Sequence, residues 1–476
     1  MRRGKKMLVS ALCACMAATL FTGCGDEKKE TTTEKATEAA TEAEKDTEAE
    51  KDTEAEKDTE AASGDKVTIN VMSFTDEVPN MIQAYIDAHP DCGIEINPTI
   101  ISTTDGAYQP ALDAALAAGG EDAPDIYCAE AAFVLKYTQG DASQYAAAYE
   151  DLGIDVNNKI KEADIAQYSV DIGSRDGKVV GLGYQATGGC FIYRRSIAKD
   201  VWGTDDPAEI SKKIGGGTQS LDAFWTAADE LKAKGYGIIS GDGDLWHCVE
   251  NSSDTGWVVD GALNIDPKRE AFLDYSKKLK DNEYHNDTQD WQDPWFADMK
   301  DAGAKKIFGY FGPAWLINYT IGDNCGDTAG DWAVCDSPIG FFWGGTWVLA
   351  NKDTTKADKV AEILEWITLD CTEDGLQYKW ANGLMNDKGT KDAVASGTVM
   401  AMSDGSLDFL GGQNMFDYFV PANQYANGKN LTQYDETINS AWRDQVREYT
   451  SGNKTKEEAI AAFKQTVADK LDITAE

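Results

Sequence analysis

Between Lys66 and Cys128 the chain alternates strand-like and helix-like stretches, and that succession limits the fold more than any other feature of the sequence. Val67, Ile69 and Val71 alternate with polar residues and predict a strand over Lys66–Phe74. Val78, Met81, Ile82, Tyr85 and Ile86 then fall on one helical face, which Pro90, Asp91 and Gly93 bring to an end. Ile94–Ile101 reads as a second strand. Leu112, Ala115 and Leu116 mark a second helix stopped by Gly119-Gly120, and Ala123-Pro124-Asp125 leads into a third strand at Ile126–Cys128. Strand, helix, strand, helix, strand at this spacing is a doubly wound α/β unit. Ligands of such sheets sit beyond the carboxyl ends of the strands, which places Ser73–Glu77 and Ala129–Ala132 at one crevice. Residues 66–476 are long enough for two domains.

The N-terminus is of a different kind. Arg2, Arg3, Lys5 and Lys6 precede an apolar run from Met7 to Phe21, and Thr22-Gly23-Cys24 follows. A basic start, a short apolar core and small residues describe a secretory signal; a membrane span would need about 20 apolar residues. The cysteine after the small residues resembles a bacterial lipoprotein signal, over residues 1–23, in which Cys24 is lipidated and becomes the first mature residue. An ordinary secretory signal with a chance cysteine is the other reading. Residues 24–65 carry TEAEKD at Thr41–Asp46, Thr47–Asp52 and Thr53–Asp58 and almost no large apolar residue, so this segment cannot bury enough surface to fold alone. It reads as an acidic, disordered tether.

A formal net charge of −38 argues against nucleic acid and anionic surfaces as partners and leaves neutral ligands open. Beyond Cys24 the cysteines are Cys92, Cys128, Cys190, Cys248, Cys325, Cys335 and Cys371, scattered and odd in number, and a Cys325–Cys335 pair would close a small loop. His89, His247 and His285 stand apart from one another. Neither a metal cluster nor a zinc or triad enzyme is indicated, and no cofactor. Gly241–Asp244 (GDGD) is too short for a calcium loop, and no GxxxxGK[ST] nucleotide loop occurs.

The aromatic residues concentrate in Tyr310–Ala350, with Trp315, Trp332, Trp343 and Trp347 beside glycine pairs. The apolar run Phe341–Ala350 would ordinarily be a buried strand, but Gly344 and Gly345 interrupt it, as glycines do where a ligand or another backbone comes close. Flat rings with polar neighbours suit a pyranose: rings cover its C–H face, and carboxylates and amides take its hydroxyls. If the strand is regular, Trp343 and Trp347 share a face; a bulge at the glycines would separate them. Core packing is the alternative for each of these tryptophans, and it is the favoured reading of Trp246.

VMSFTDEVPNMIQAYIDAHPD (71–91), APDIY (123–127), GKVVGLGYQATGGCFIYRR (177–195), FGPAW (311–315), WGGTWVLANKD (343–353) and SGNKTKEEAIAAF (451–463) occur in this order. Together they resemble the extracellular sugar-binding lipoproteins of ABC importers, the family 1 solute-binding proteins that include maltose-binding protein, over essentially Val67–Leu471. The resemblance implies a periplasmic-binding-protein-like α/β fold of two lobes with the ligand cleft between them. Lobe 1 would comprise 66–186 and 339–384, lobe 2 187–338 and 385–476 with a helical C-terminus, and crossings would lie near Tyr184–Gly188, Pro338–Thr346 and Leu384–Gly405. It further implies ligand contacts at Asp76 and Glu77 after the first strand and at Glu130 after the third. Others follow at Gln185 and Thr187 on the first crossing, at Trp315 in FGPAW, and at Trp343, Gly345 and Trp347. Gln413 and Asn414 in LGGQNMF (410–416) complete the set as amides after paired glycines. Helix capping is the alternative for Asp76 and Glu77, a solvated loop charge for Glu130, hinge polarity for Gln185 and Thr187, and a bare turn for Gln413 and Asn414.

The function so implied is capture of a sugar or short oligosaccharide by a monomer anchored to the outer face of the cell membrane, and its delivery to ABC transporter permease subunits. A surface glycoside hydrolase would need two carboxylates about 5–9 Å apart across the scissile bond, and so many acidic residues make such a pair uninformative by itself. A carbohydrate adhesin on an acidic tether is a third reading.

Overall fold

The computed structural model describes residues 66–103, 106–471 and 473–475. The anticipated signal peptide, Cys24 and the anticipated tether lie outside the described residues. Eight strands carry the architecture: β1 Val67–Ser73, β2 Ile94–Ile100, β3 Ile126–Glu130, β4 Gly181–Gly183, β5 Cys190–Arg194, β6 Gly309–Gly312, β7 Trp332–Cys335 and β8 Thr346–Ala350. They form two sheets. The first runs β2-β1-β3-β8-β4, with β1 parallel to β2 and β3 and β8 antiparallel to both its neighbours. The second runs β6-β5-β7 and is antiparallel throughout.

Strands β3, β8 and β4 of the first sheet are buried on both faces, while the edge strand β2 is largely exposed. Ile69, Val71, Ile126 and Val348 pack with the amphipathic helices Glu77–Ala88 and Ala357–Thr368, the latter contributing Val360, Ile363, Leu364 and Ile367. The second sheet is backed by helices Asp222–Ala233, Asp242–Glu250 and Pro267–Asp281, and by Asp435–Thr450 and Lys456–Lys470 at the C-terminus. Local sequence sets their starts. The Asp266 carboxylate accepts from Lys268 N–H ahead of Pro267, and Thr455 and Glu458 exchange bonds in a capping box.

The two sheets make two lobes, and three segments join them side by side. Residues 184–189 run from β4 straight into β5; residues 336–345 return from β7 to β8. A third passage lies between Leu376, in the core of the first sheet, and Leu410, packed under the second. Gly188 bridges Phe342 and Gln185 bridges Val394, and Trp343 N–H donates to Thr187 O at 3.1 Å, so the crossings are hydrogen-bonded to one another.

Two expectations are corrected here. The strand anticipated over Phe341–Ala350 begins only at Thr346, because Gly344 (φ +71°) and Gly345 (φ +107°) hold left-handed backbone that other residues rarely adopt. Cys325 and Cys335 do not pair: every cysteine among the described residues is free. The N-terminus of the helix that holds Trp246 is GDGD itself, and Trp246 is buried against Phe272.

Candidate functional site

The backbone break at Gly344-Gly345 aims the two tryptophans that flank it in different directions. Trp347, on β8, is buried; its indole N–H donates to Ser169 O at 3.0 Å and its ring packs edge-on to Tyr168. Trp343, on the crossing, faces the space between the lobes. Trp315 meets it there from the second lobe, at the end of FGPAW where β6 turns into a π-helical stretch, Leu316–Ile321. Trp315 Nε1–H donates to Trp343 O at 3.2 Å and the rings stand 4.7 Å apart at 61°. Trp291 lies parallel to Trp315, at 6.2 Å and 14°, and the His247 imidazole is stacked on Trp343 at 3.5 Å. Trp291 holds φ +65° with 43 % of its surface exposed. A bulky residue in left-handed backbone is strained, and such strain collects at functional sites.

Two cavities open on either side of this aromatic wall. The smaller, about 80 Å³, is lined by Glu130, Ala131 and Ala132 from the end of β3, by Glu250 and Asn251 from the end of helix Asp242–Glu250, by Phe342–Gly344, and by Leu431 and Asp435. The larger, about 420 Å³, lies between Asp76, Glu77 and Asn80 after β1, Trp315, Asn318, Tyr319 and Asp323, and Trp380 with Asn386, Lys388, Thr390, Lys391 and Asp392. Both therefore sit at the carboxyl ends of first-lobe strands and face the second lobe.

Burial dominates the electrostatics. It pushes the Glu130 carboxyl up to about 7, although Ala132 N–H donates to it at 2.8 Å. Asp435 is likewise pushed up to about 7 by burial, against the hydrogen bonds it takes from Thr432. In the larger cavity burial lifts Asp392 to about 7, with Gln185 and Trp380 donating to it and Glu77 adding repulsion. Glu77 is raised too, by burial first, while the Tyr184 hydroxyl donates to it and Asp76 repels it. Each of these carboxyls binds its proton more tightly folded than unfolded, where its pKa is roughly 4. Folding thus takes up protons between about pH 4 and about pH 7, and stability falls as pH rises through that window. The melting temperature of the ligand-free protein is expected to drop between pH 5 and pH 8; a flat or rising profile would contradict it.

Of the residues anticipated from sequence, Asp76, Glu77, Glu130, Trp315 and Trp343 converge on the two cavities. The others do not. Gln185 and Thr187 are buried scaffolding: the Gln185 amide donates to Asp392, and the Thr187 hydroxyl donates to Gly344 O at 3.1 Å. Gly345 supports the turn, since a Cβ there would lie 3.2 Å from Thr187 Cγ2. Trp347 belongs to the core. The Gln413 side chain accepts from Val334 N–H and donates to Val334 O, extending the edge of the second sheet. Asn414 Oδ1 accepts from Gly405 and Phe416 N–H and shapes a turn. Sequence reasoning missed Glu250, Asn251, Asp435, Trp291, Trp380 and Asp392, which arrive from segments far apart in the chain. The one local signal was the Trp291–Phe296 cluster, WQDPWF.

Two lobes hinged by adjacent crossings, with aromatic and acidic side chains lining the space between them, define a solute-binding protein of the two-lobe class. The sequence signature of the bacterial extracellular solute-binding proteins matches residues 73–370, more than half of the chain, and the protein belongs to that family. Its fold is that of solved relatives. One is the galacto-N-biose/lacto-N-biose I-binding protein of the ABC transporter from Bifidobacterium longum, in complex with lacto-N-biose; it is 18% identical, with a TM-score of 0.65, over 87% of this chain and 100% of that one. Another is the sugar-binding protein MalE of Xanthomonas citri, 13% identical with a TM-score of 0.62 over 85% and 96%. A third is an ABC transporter-associated binding protein of B. animalis subsp. lactis Bl-04, in complex with β-1,6-galactobiose, 19% identical with a TM-score of 0.59 over 84% and 97%. No curated protein sequence matches the chain. No helix among the described residues is long and apolar enough to cross a membrane.

Proposed function

We propose that this protein captures a sugar or short oligosaccharide between its lobes and delivers it to the permease of an ABC importer, without transforming it. The observation that carries the reading is the contacting pair Trp315 and Trp343, each lining a cavity that also carries carboxyl groups, the larger one together with Lys388 and Lys391. Indole faces remove the C–H face of a pyranose from water, and carboxylates accept from its hydroxyls. The two cavities together offer room for more than one ring. The sugars held by the related binding proteins of Bifidobacterium longum and B. animalis support this ligand class.

Residues 66–186 and 339–384 make up the proposed first lobe and 187–338 and 385–476 the second. Anchoring through a lipid on Cys24, a monomeric state and docking of the closed form on permease subunits complete the reading. A thermal-shift screen against mono- and oligosaccharides, with tryptophan fluorescence recorded in parallel, tests it. A binder of the native state raises the melting temperature by mass action, so one sugar class is expected to do so and to perturb Trp315 or Trp343. Silence across a broad sugar panel would refute sugar capture, and breakdown of a bound oligosaccharide over hours would replace capture by hydrolysis. Cells fed labelled fatty acid are expected to yield labelled protein; a Cys24→Ser variant that keeps the label would remove the anchor from the proposal.

A further inference from the structure

Past Trp315 the chain does not continue as an ordinary helix. Leu316–Ile321 is π-helical, a rare i→i+5 form that is frequent at functional sites. Leu316, Ile317, Thr320 and Ile321 turn into the core. Asn318 and Tyr319 are left to the larger cavity, beside Trp315. Tyr319 stands four residues after Trp315, close to one helical turn, so the two rings lie on the same side of the helix.

Core packing does not account for Tyr319. It is 58 % exposed, whereas Trp315 and Trp380, which line the same cavity, are half-buried. Its ring is therefore the outermost aromatic surface of that cavity. The helix that carries it is braced against the segment that forms a neighbouring wall: the Asn318 amide donates to Lys391 O, and Lys388 pairs with Asp323 at 2.7 Å. A ring held on a braced element loses little freedom when a ligand covers it.

We propose that Tyr319 is a sugar-contact residue that forms, with Trp315, a platform for two successive rings, so that the ligand is an oligosaccharide rather than a monosaccharide; this rests on the reading of the cleft as a sugar site. Tyrosine suits the rim of such a site, because its apolar ring covers a C–H face while its hydroxyl stays wet. A single sugar against Trp315 and Trp343 leaves Tyr319 in water. A second ring linked to it reaches the surface that Tyr319 offers, and apolar area of both is removed from water. The cavity, about 420 Å³, falls in the range of sites that enclose drug-sized ligands.

The test is calorimetric titration of the parent, Tyr319→Ala and Tyr319→Phe with matched series of probes. These are glucose with maltose and maltotriose, glucose with cellobiose and cellotriose, galactose with galactobiose and galactotriose, and xylose with xylobiose and xylotriose. In the series that binds, the parent is expected to hold the chains at least tenfold more tightly than the monosaccharide. Tyr319→Ala is expected to lose at least tenfold on the chains and less than threefold on the monosaccharide, with the ligand-free protein melting like the parent. Tyr319→Phe, which keeps the ring, is expected to stay within threefold of the parent on both. Chains that bind while the monosaccharide is silent, and that are lost with alanine and kept with phenylalanine, would equally sustain the platform. A monosaccharide bound as tightly as its chains would overturn the proposal and leave sugar capture standing. So would an alanine variant that binds the chains like the parent or loses the same factor on the monosaccharide, and so would a phenylalanine variant that loses as much as alanine. Silence from every series would refute sugar capture itself, and the platform with it.

Discussion

Replacing Trp315 with alanine is expected to weaken ligand binding by about 2–4 kcal/mol, roughly a 30- to 1,000-fold rise in Kd, while the protein still folds. The indole is half-buried, so most of what it contributes is a surface offered to the cleft. Its ring runs parallel to Trp291 and lines the larger cavity, and its N–H fixes the crossing through Trp343 O. Alanine removes the stacking surface and the hydrogen bond together. Phenylalanine keeps a flat ring and loses only the N–H, so Trp315→Phe is expected to fall between the two. Titration with the sugar identified by the thermal-shift screen checks this, with the melting temperature recorded for each variant. An alanine variant with native affinity would take Trp315 out of the ligand wall, whatever its stability.

The contrast between Trp315 and its neighbours shows how far the sequence can be read. Elements whose evidence is local were legible: the strand anticipated over Lys66–Phe74 is Val67–Ser73, and the next, anticipated over Ile94–Ile101, is Ile94–Ile100. Alternation and helical period report burial directly, whatever the rest of the chain does. The position of the crevice was legible for the same reason, since it follows from strand direction alone, and Asp76, Glu77 and Glu130 do line cavities there. Polar groups beside glycine pairs were not. An amide after Gly411-Gly412 looks the same in sequence whether it awaits a ligand or, as Gln413 does, binds both backbone groups of Val334. Glu250 and Asp435 were hidden differently. In a chain this acidic no single carboxylate stands out, and only the packing of helix Asp242–Glu250 against the C-terminal helices brings those two into one cavity with Glu130.

Trp347→Ala is expected to cost about 3–5 kcal/mol of stability, the range for removing a buried tryptophan from a packed core, and to leave the affinity of the folded fraction close to native. Only 1 % of Trp347 is exposed, and it sits on β8 between β3 and β4 with Tyr168 against its ring. Truncation opens a cavity the size of an indole, and Ser169 O loses one of its two donors, keeping only Gly173 N–H. Because β8 is central to the first sheet, the loss falls on the lobe as a whole rather than on one edge. Trp347→Phe refills much of the space without restoring the hydrogen bond, and is expected to recover part of the difference. Urea unfolding of the three proteins, followed by far-ultraviolet circular dichroism, measures the shift in midpoint, and a titration under native conditions measures affinity. The two tryptophans four residues apart on either side of Gly344-Gly345 then separate cleanly, with Trp343 on the ligand side of the break and Trp347 on the folding side. A Trp347→Ala protein that melts like the parent but binds poorly would reverse that assignment and place the β8 indole in the cleft.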